Sequence, residues 1–484
     1  MASVDRALLA PGLEISRVLT GLWQIADMER DGGPLDPEVA ADAMEPYVAA
    51  GFTTFDMADH YGSAEVVAGA FRSRGRNARR VQLFTKWVPK PGPVHKEHVR
   101  AAVERALERT RADAVDLMQF HAWSYDDPSW LDALFHLEEL RDEGLIRHLG
   151  VTNVDAVHLA MAVRTGVRIV SNQVCYSLLD RRPARALEAV CLRHGVKLLG
   201  YGTVAGGLLT EEWLARPEPD AGSLPTWSLM KYKRFIDAAG GWAAFQSLLQ
   251  AVRLVSLRHG VSMANVASRF VLEQPTVAGV IIGARLGRSE HLEDNRRLFS
   301  FALDAEDRAM LRPALEALGY PPGDSGDEYR RPPFLTAAGD LSHHVEAFPR
   351  PYPVVTGPGQ RRRALSGTIW ESLAGFSRAV RVGNRILVSG TTATHGDRVI
   401  GGTDPASQAH FCIDKIEGAI RSLGGRLEDV VRTRVYVRKM EDWEAVSRVH
   451  GERFGGVQPA NTLIQAGIIG EDYLVEMEAE AVVE

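Results

Sequence analysis

Between about residue 15 and residue 300 the chain repeats one unit, a short apolar strand followed by an amphipathic helix. Apolar strands are expected within 15–24, at 52–55, 81–87 and 115–120, then at 145–151, 168–171, 196–201 and 277–283. Helical faces stand between them, over 36–49, behind 99–107, and over 155–164, 183–194, 243–259 and 263–273. Asp127-Pro128 opens another helix in the expected way, with a cap residue and proline in the first turn, and Gly144 closes it. Eight strands alternating with helices predict an α/β fold of the (β/α)8 TIM barrel kind. A doubly wound open sheet is the alternative. Gly200-x-Gly202-xxx-Gly206 follows a strand, but its spacing is not the dinucleotide fingerprint and it comes late in the chain.

A barrel places its active site at the C-terminal ends of the strands. Asp56 and Tyr61 follow the second strand, in Phe55-Asp-Met-Ala-Asp-His-Tyr-Gly62. Lys86 ends the third and His121 follows the fourth, so four titratable residues are expected on one face. A phenol titrates near ~10 and needs a neighbouring cation to give up its proton readily. Lys86 can be that cation, and Asp56 can hold it charged. Neutral His121 can orient a carbonyl, and Tyr61 is the member with a proton to lend to a developing alkoxide. No side chain supplies a hydride, so a cofactor is needed. His60 and Asp59 are expected to be loop residues.

These positions resemble the aldo-keto reductase superfamily over roughly residues 12–315. Asp56, Tyr61, Lys86 and His121 match that family's catalytic tetrad. The resemblance implies that Thr152, Asn153, Gln173 and Tyr201 hold and stack the nicotinamide. It adds Trp23, Gly202, Gly206 and Leu208 to the cofactor groove. Gly283, Arg285, His291, Asp294 and Asn295 would grip the adenosine end. Met57 and Gly202-Thr203 depart from the commoner family residues. Arginine suits a 2′-phosphate, so Arg285 and Arg288 predict NADP(H) ahead of NAD(H). The substrate expected is a small carbonyl compound, with specificity in the loops at 22–35 and 212–240.

Residues 320–364 are rich in proline and carry Tyr329, Phe334, Phe348 and Tyr352, which reads as a linker or a strap packed on the barrel. His343-His344 has no third ligand in spacing, so no metal is expected. Residues 365–484 read as a smaller α+β unit. A hairpin turns at Gly383-Asn384, helices follow at 404–423 and 441–454, and the last strand alternates Val475, Met477, Ala479 and Ala481 with glutamates. Val388-Ser-Gly390, Glu428-Asp-Val430 and the terminal Val-Glu-Met-Glu-Ala run resemble the RidA-like reactive-intermediate deaminase family, whose domain is chorismate-mutase-like. That family binds imine-acids in clefts between trimer subunits through an arginine in a Pro-Ala-Arg motif. Here the motif is Pro459-Ala460-Asn461, and asparagine cannot make a bidentate ion pair with a carboxylate. Glu476 stands at the position that orients water in the family.

Three functions follow as alternatives: a carbonyl reductase carrying a RidA-like module, a two-step enzyme that hydrolyses an imine and reduces the product, and a nicotinamide-binding sensor. A trimer through residues 365–484 is expected, and their removal is expected to leave a working monomeric barrel. The net charge of −6 and mixed signs give no surface for nucleic acid or membrane. Three cysteines and no apolar leader at the N-terminus make a cytoplasmic protein the expectation.

Overall fold

The computed structural model describes residues 3–25, 36–75, 78–287, 291–330 and 348–484. A short antiparallel hairpin, Arg6–Ala10 with Leu13–Ser16, precedes the first repeat. The eight barrel strands are β1 (Val18–Gly21), β2 (Thr54–Asp56), β3 (Gln82–Trp87), β4 (Val115–His121), β5 (Ile146–Thr152), β6 (Ile169–Cys175), β7 (Lys197–Tyr201) and β8 (Val277–Gly283). They pair in parallel in chain order, and β8 closes the sheet on β1. Both faces of such strands are covered, which is why they read as near-continuous apolar runs. All seven residues of β4 are buried. The expected helix over 36–49 is two short ones, Pro37–Asp42 and Glu45–Ala49. Two helices that strand periodicity does not announce, Trp227–Ala238 and Ala305–Ala317, pack against the Gly241–His259 helix.

The segment after the barrel is not spacer. Arg182 is buried at 1% exposure and binds Asp180 at 2.8 Å and Glu328 at 2.9 Å. The same guanidinium donates to the backbone carbonyl of Asp324 at 2.9 Å. A buried ion is tolerable only when it is paired and hydrogen-bonded on every side, so Arg182 ties residues 322–328 to the barrel mouth. Pro332, Pro333, Phe334 and His343-His344 lie outside the described residues.

The C-terminal sheet starts before residue 365. Its strands are β9 (Val354–Thr356), β10 (Arg362–Ala364), β11 (Ala379–Val382), β12 (Arg385–Thr392), β13 (Val430–Val437), β14 (Ala460–Gln465) and β15 (Val475–Val482). They lie in the order β9-β10-β11-β12-β15-β13-β14. Helices Pro405–Ser422 and Trp443–Phe454 pack on one face, where Val475, Met477, Ala479 and Ala481 are buried. The glutamates of β15 lie on the other face, with exposed Leu387 beside Glu480 in register.

The two domains share a polar, largely buried interface. Its centre is His158, on the Ala156–Arg164 helix of the barrel, 2.7 Å from Asp155 and 3.1 Å from Asp414 of the C-terminal domain. The imidazole stacks on Tyr125 with ring centroids 3.4 Å apart. Arg164–Asp404, His395–Asp132 and Arg421–Asp126 pairs surround it. Gly418 lets the long C-terminal helix approach the barrel, since a Cβ there would stand 2.2 Å from the carbonyl oxygen of Asp126. Among the described residues no helix is long and apolar enough to cross a membrane.

Candidate active site

A pocket of about 580 Å³ opens at the C-terminal mouth of the barrel. Asp56 ends β2 and Lys86 lies in β3, both almost fully buried, with Lys86 Nζ 2.6 Å from Asp56 Oδ2. Lys86 also donates to the carbonyl of Met57 at 2.8 Å. Burial pushes the Lys86 pKa down, and the adjacent Asp56 carboxylate opposes that shift. The ammonium sits 4.9 Å from the centre of the Tyr61 ring. Beneath it, Glu65 is buried and held by Thr85 at 2.6 Å and Arg109 at 3.1 Å, and burial raises its pKa.

The other Asp56 oxygen accepts from Gln173 at 2.7 Å and from Gln119 at 3.2 Å. In this state, then, the Gln173 amide nitrogen serves the carboxylate. Gln119 belongs to this network too. Its place on β4, in register with Lys86, is the sequence signal that could have found it. His121 closes β4 beside Trp123, with ring centroids 4.5 Å apart. Trp23 meets Tyr61 edge to face at 4.8 Å, and His60 also lines the pocket.

Asn153 is in the left-handed region, with φ of 55°, which asparagine tolerates better than most residues. It is held from several sides. Its amide donates to the carbonyl of Gln173 at 2.8 Å, and its side-chain oxygen accepts from the Tyr201 hydroxyl at 2.8 Å. Its carbonyl accepts from Arg330 at 2.7 Å. Gly326, at φ of 87°, lies so close that a Cβ there would stand 2.0 Å from that same oxygen.

Thr152, Gly202, Gly206, Gly283, Arg285, His291, Asp294 and Asn295 all line the pocket as well. Leu208 does not: it is wholly buried in the core between β6, β7 and the helices that follow. Asp294 uses both oxygens on the start of the Met263–Leu272 helix, at 2.8 Å from Ser262 and 3.0 Å from Asn265. Arg288 and residues 26–35 lie outside the described residues. Lys231, Tyr232 and Tyr329 are pocket residues that the strand-end logic does not reach, whereas Trp123, two residues past β4, is one that it could have found.

In the C-terminal domain Asn461 and Glu476 are not brought together within one chain. Asn461 pairs in register with Thr433 and donates to its hydroxyl at 2.9 Å, on the face that carries His450. Glu476 pairs with Tyr436 on the opposite face and lies over Gly390, where a Cβ would meet its carboxylate at 2.2 Å. Burial raises the Glu476 pKa, with Glu478 adding to the shift.

A closed parallel barrel with a lysine–carboxylate–phenol cluster at its mouth defines a (β/α)8 enzyme scaffold. The chain belongs to the aldo/keto reductase family, whose model matches residues 17–316, and that family works with nicotinamide cofactors. Residues 368–483 match the family model described as Endoribonuclease L-PSP, to which RidA-like proteins belong, so the chain is a fused oxidoreductase. Aldo-keto reductase YhdN of Bacillus subtilis is 27% identical over 342 residues, covering 66% of this chain and 96% of that protein. An uncharacterized protein of Streptomyces coelicolor is 42% identical over 121 residues, covering 25% of this chain and 90% of that protein. The glycerol dehydrogenase structure of Gluconobacter oxydans aligns at a TM-score of 0.53 and 21% identity, over 67% of this chain and 98% of that one, a likeness of fold.

Proposed function

We propose that the barrel is an NAD(P)H-dependent carbonyl reductase in which Tyr61 is the general acid. The observation that carries this is the buried Lys86–Asp56 pair at 2.6 Å, with its ammonium 4.9 Å from the Tyr61 ring centre. Reduction of a carbonyl places negative charge on its oxygen. A phenol aimed at that oxygen neutralises the charge, and an ammonium behind the phenol stabilises the phenolate left over. Asp56 opposes the pull of burial on Lys86 and so favours the ammonium. His121 orients the carbonyl by a hydrogen bond.

The residues fit a nicotinamide dinucleotide. Tyr201 offers a flat ring, and Asn153 and Thr152 offer polar groups beside it. Gly206 exposes backbone where a side chain would strike Ser228. Bound there, the nicotinamide would supply the hydride. Arg285, exposed at the far end of the groove, favours the 2′-phosphate of NADPH.

The C-terminal domain is the assembly module. The glutamate face of its sheet, opposite the Pro405–Ser422 and Trp443–Phe454 helices, carries exposed Leu387 and Ile464 and suits burial in a trimer. Asn461 turned toward Thr433 and His450 is not an imine-acid anchor, and this favours loss of deamination over a two-step enzyme.

Tyr61→Phe tests the reading. It should lower kcat for simple aldehydes by ~10²–10⁴ and leave the Kd for NADPH within about threefold. Turnover within ~10-fold of the parent would sink it.

A further inference from the structure

The pocket holds a second tyrosine–lysine pair. Tyr329 comes from the segment after the barrel, and Lys231 comes from the Trp227–Ala238 helix. Lys231 is buried at 6% exposure, and its Nζ donates to the Tyr329 hydroxyl at 2.6 Å. The ammonium also stands 4.8 Å from the Tyr329 ring centre and 5.3 Å from that of Tyr201. The Tyr329 ring lies edge to face against His121 at 5.3 Å and against Trp123 at 6.3 Å. A substrate whose carbonyl is held by His121 therefore lies against Tyr329.

Lys231 is only a donor. Tyr201 spends its proton on Asn153 at 2.8 Å. Any hydrogen bond between the two hydroxyls, 3.3 Å apart, is therefore donated by Tyr329. That is longer than a good O–H···O bond, roughly 2.5–3.0 Å. A substrate oxygen arriving at ordinary distance outcompetes it, and the ammonium on Tyr329 makes the phenol a stronger donor. The barrel edge that fixes Tyr329 is rigid: Glu328 is locked to Arg182, and Arg330 to the carbonyls of Ala122 and Asn153.

We propose that Tyr329, backed by Lys231, is the specificity determinant of this site and selects carbonyl compounds bearing a second oxygen next to the reacting carbonyl, such as 2-hydroxy aldehydes. This rests on the reading of the pocket as a carbonyl-reducing site. The test compares lactaldehyde with isobutyraldehyde, which differ by a hydroxyl in place of a methyl. The full-length protein should prefer lactaldehyde in kcat/KM. In Tyr329→Phe that preference should fall about tenfold, chiefly through KM, and Lys231→Met should lower it in the same direction. A site that hydrogen-bonds a substrate hydroxyl discriminates against the analogue lacking it by at least such a factor. A parent with no preference, or a preference in Tyr329→Phe within twofold of the parent's, overturns the proposal. If the parent reduces neither aldehyde, the reductase reading fails. The anchor is then judged on equilibrium binding of the matched alcohols, propane-1,2-diol and isobutanol, by tryptophan fluorescence. Tighter binding of the diol that is lost in Tyr329→Phe supports it, and equal binding overturns it.

Discussion

His158→Gln removes the cation at the centre of the domain interface. The imidazole is buried, bonded to Asp155 at 2.7 Å and Asp414 at 3.1 Å. Burial alone pushes its pKa down, but the two carboxylates outweigh burial and raise it from 6.5 to about 9. A histidine that binds its proton more tightly folded than unfolded stabilises the fold fully below pH ~6.5, and that stabilisation is lost as pH rises through about 9. The shift is worth about 3 kcal/mol. Asp155 and Asp414 have the opposite sign: burial raises their pKa values, His158 and, for Asp414, Arg453 outweigh it, and their contribution is lost only in acid. Lys415, pushed by burial down to about 7, gains stability as pH rises, so the readout is the parent-minus-variant difference. Urea unfolding followed by circular dichroism at pH 6, 7.5, 9 and 10 measures it. The difference should be about 3 kcal/mol larger at pH 6 than at pH 10, where only the packing of the neutral ring on Tyr125 remains in it. Profiles that run parallel from pH 6 to 10 would refute a charged His158 at the interface.

Lys86→Met should lower kcat by ~10²–10⁴ like Tyr61→Phe, and a pH–rate profile unchanged from the parent would count against its role. Arg285→Ala should raise the KM for NADPH about tenfold and that for NADH by less than twofold; equal changes would remove the 2′-phosphate assignment. Sedimentation equilibrium should give three chains per particle, and a monomer at micromolar concentration would refute the assembly role.

The barrel was legible because buried parallel strands have no polar side to show, and Val277–Gly283 could be read to the residue. The four polar residues at the mouth were legible because each sits at or just past a strand end. The N-terminal hairpin stands outside the strand–helix repeat, and Pro11-Gly12 between apolar runs is its signal. Lys231 and Tyr329 are different in kind. Lys231 stands in Lys-Tyr-Lys-Arg, which reads as a solvated helix face, and tertiary packing over the glycine loop is what buries it. Asn461 and Glu476 share a domain, but strand pairing alone decides which face each takes, and the sequence carries no signal for the parallel β13–β14 pair.

If residues 320–364 were only a linker, a chain could end after Gly319 as well as after residue 364, and the contacts of residues 322–330 argue against the earlier end. Cutting there removes Glu328, and Arg182 loses one of its two buried carboxylates. It also removes Arg330, which bonds the carbonyl next to His121 and that of Asn153 while lying 4.3 Å over the Tyr125 ring. Tyr125 in turn stacks on His158, so one run of packed groups joins the cofactor groove to the C-terminal domain. Leaving a buried charge half-paired costs about 3 kcal/mol or more, a large part of a domain's stability. A chain ending after Gly319 should therefore bind NADPH at least tenfold more weakly than one ending after Arg330, with a lower unfolding midpoint. Both lack the C-terminal domain, so the lost interface is common to them and cancels. Equal cofactor affinity and equal midpoints would show that residues 320–330 are the spacer their prolines and glycines suggest, and that Asn153 keeps its left-handed conformation without them.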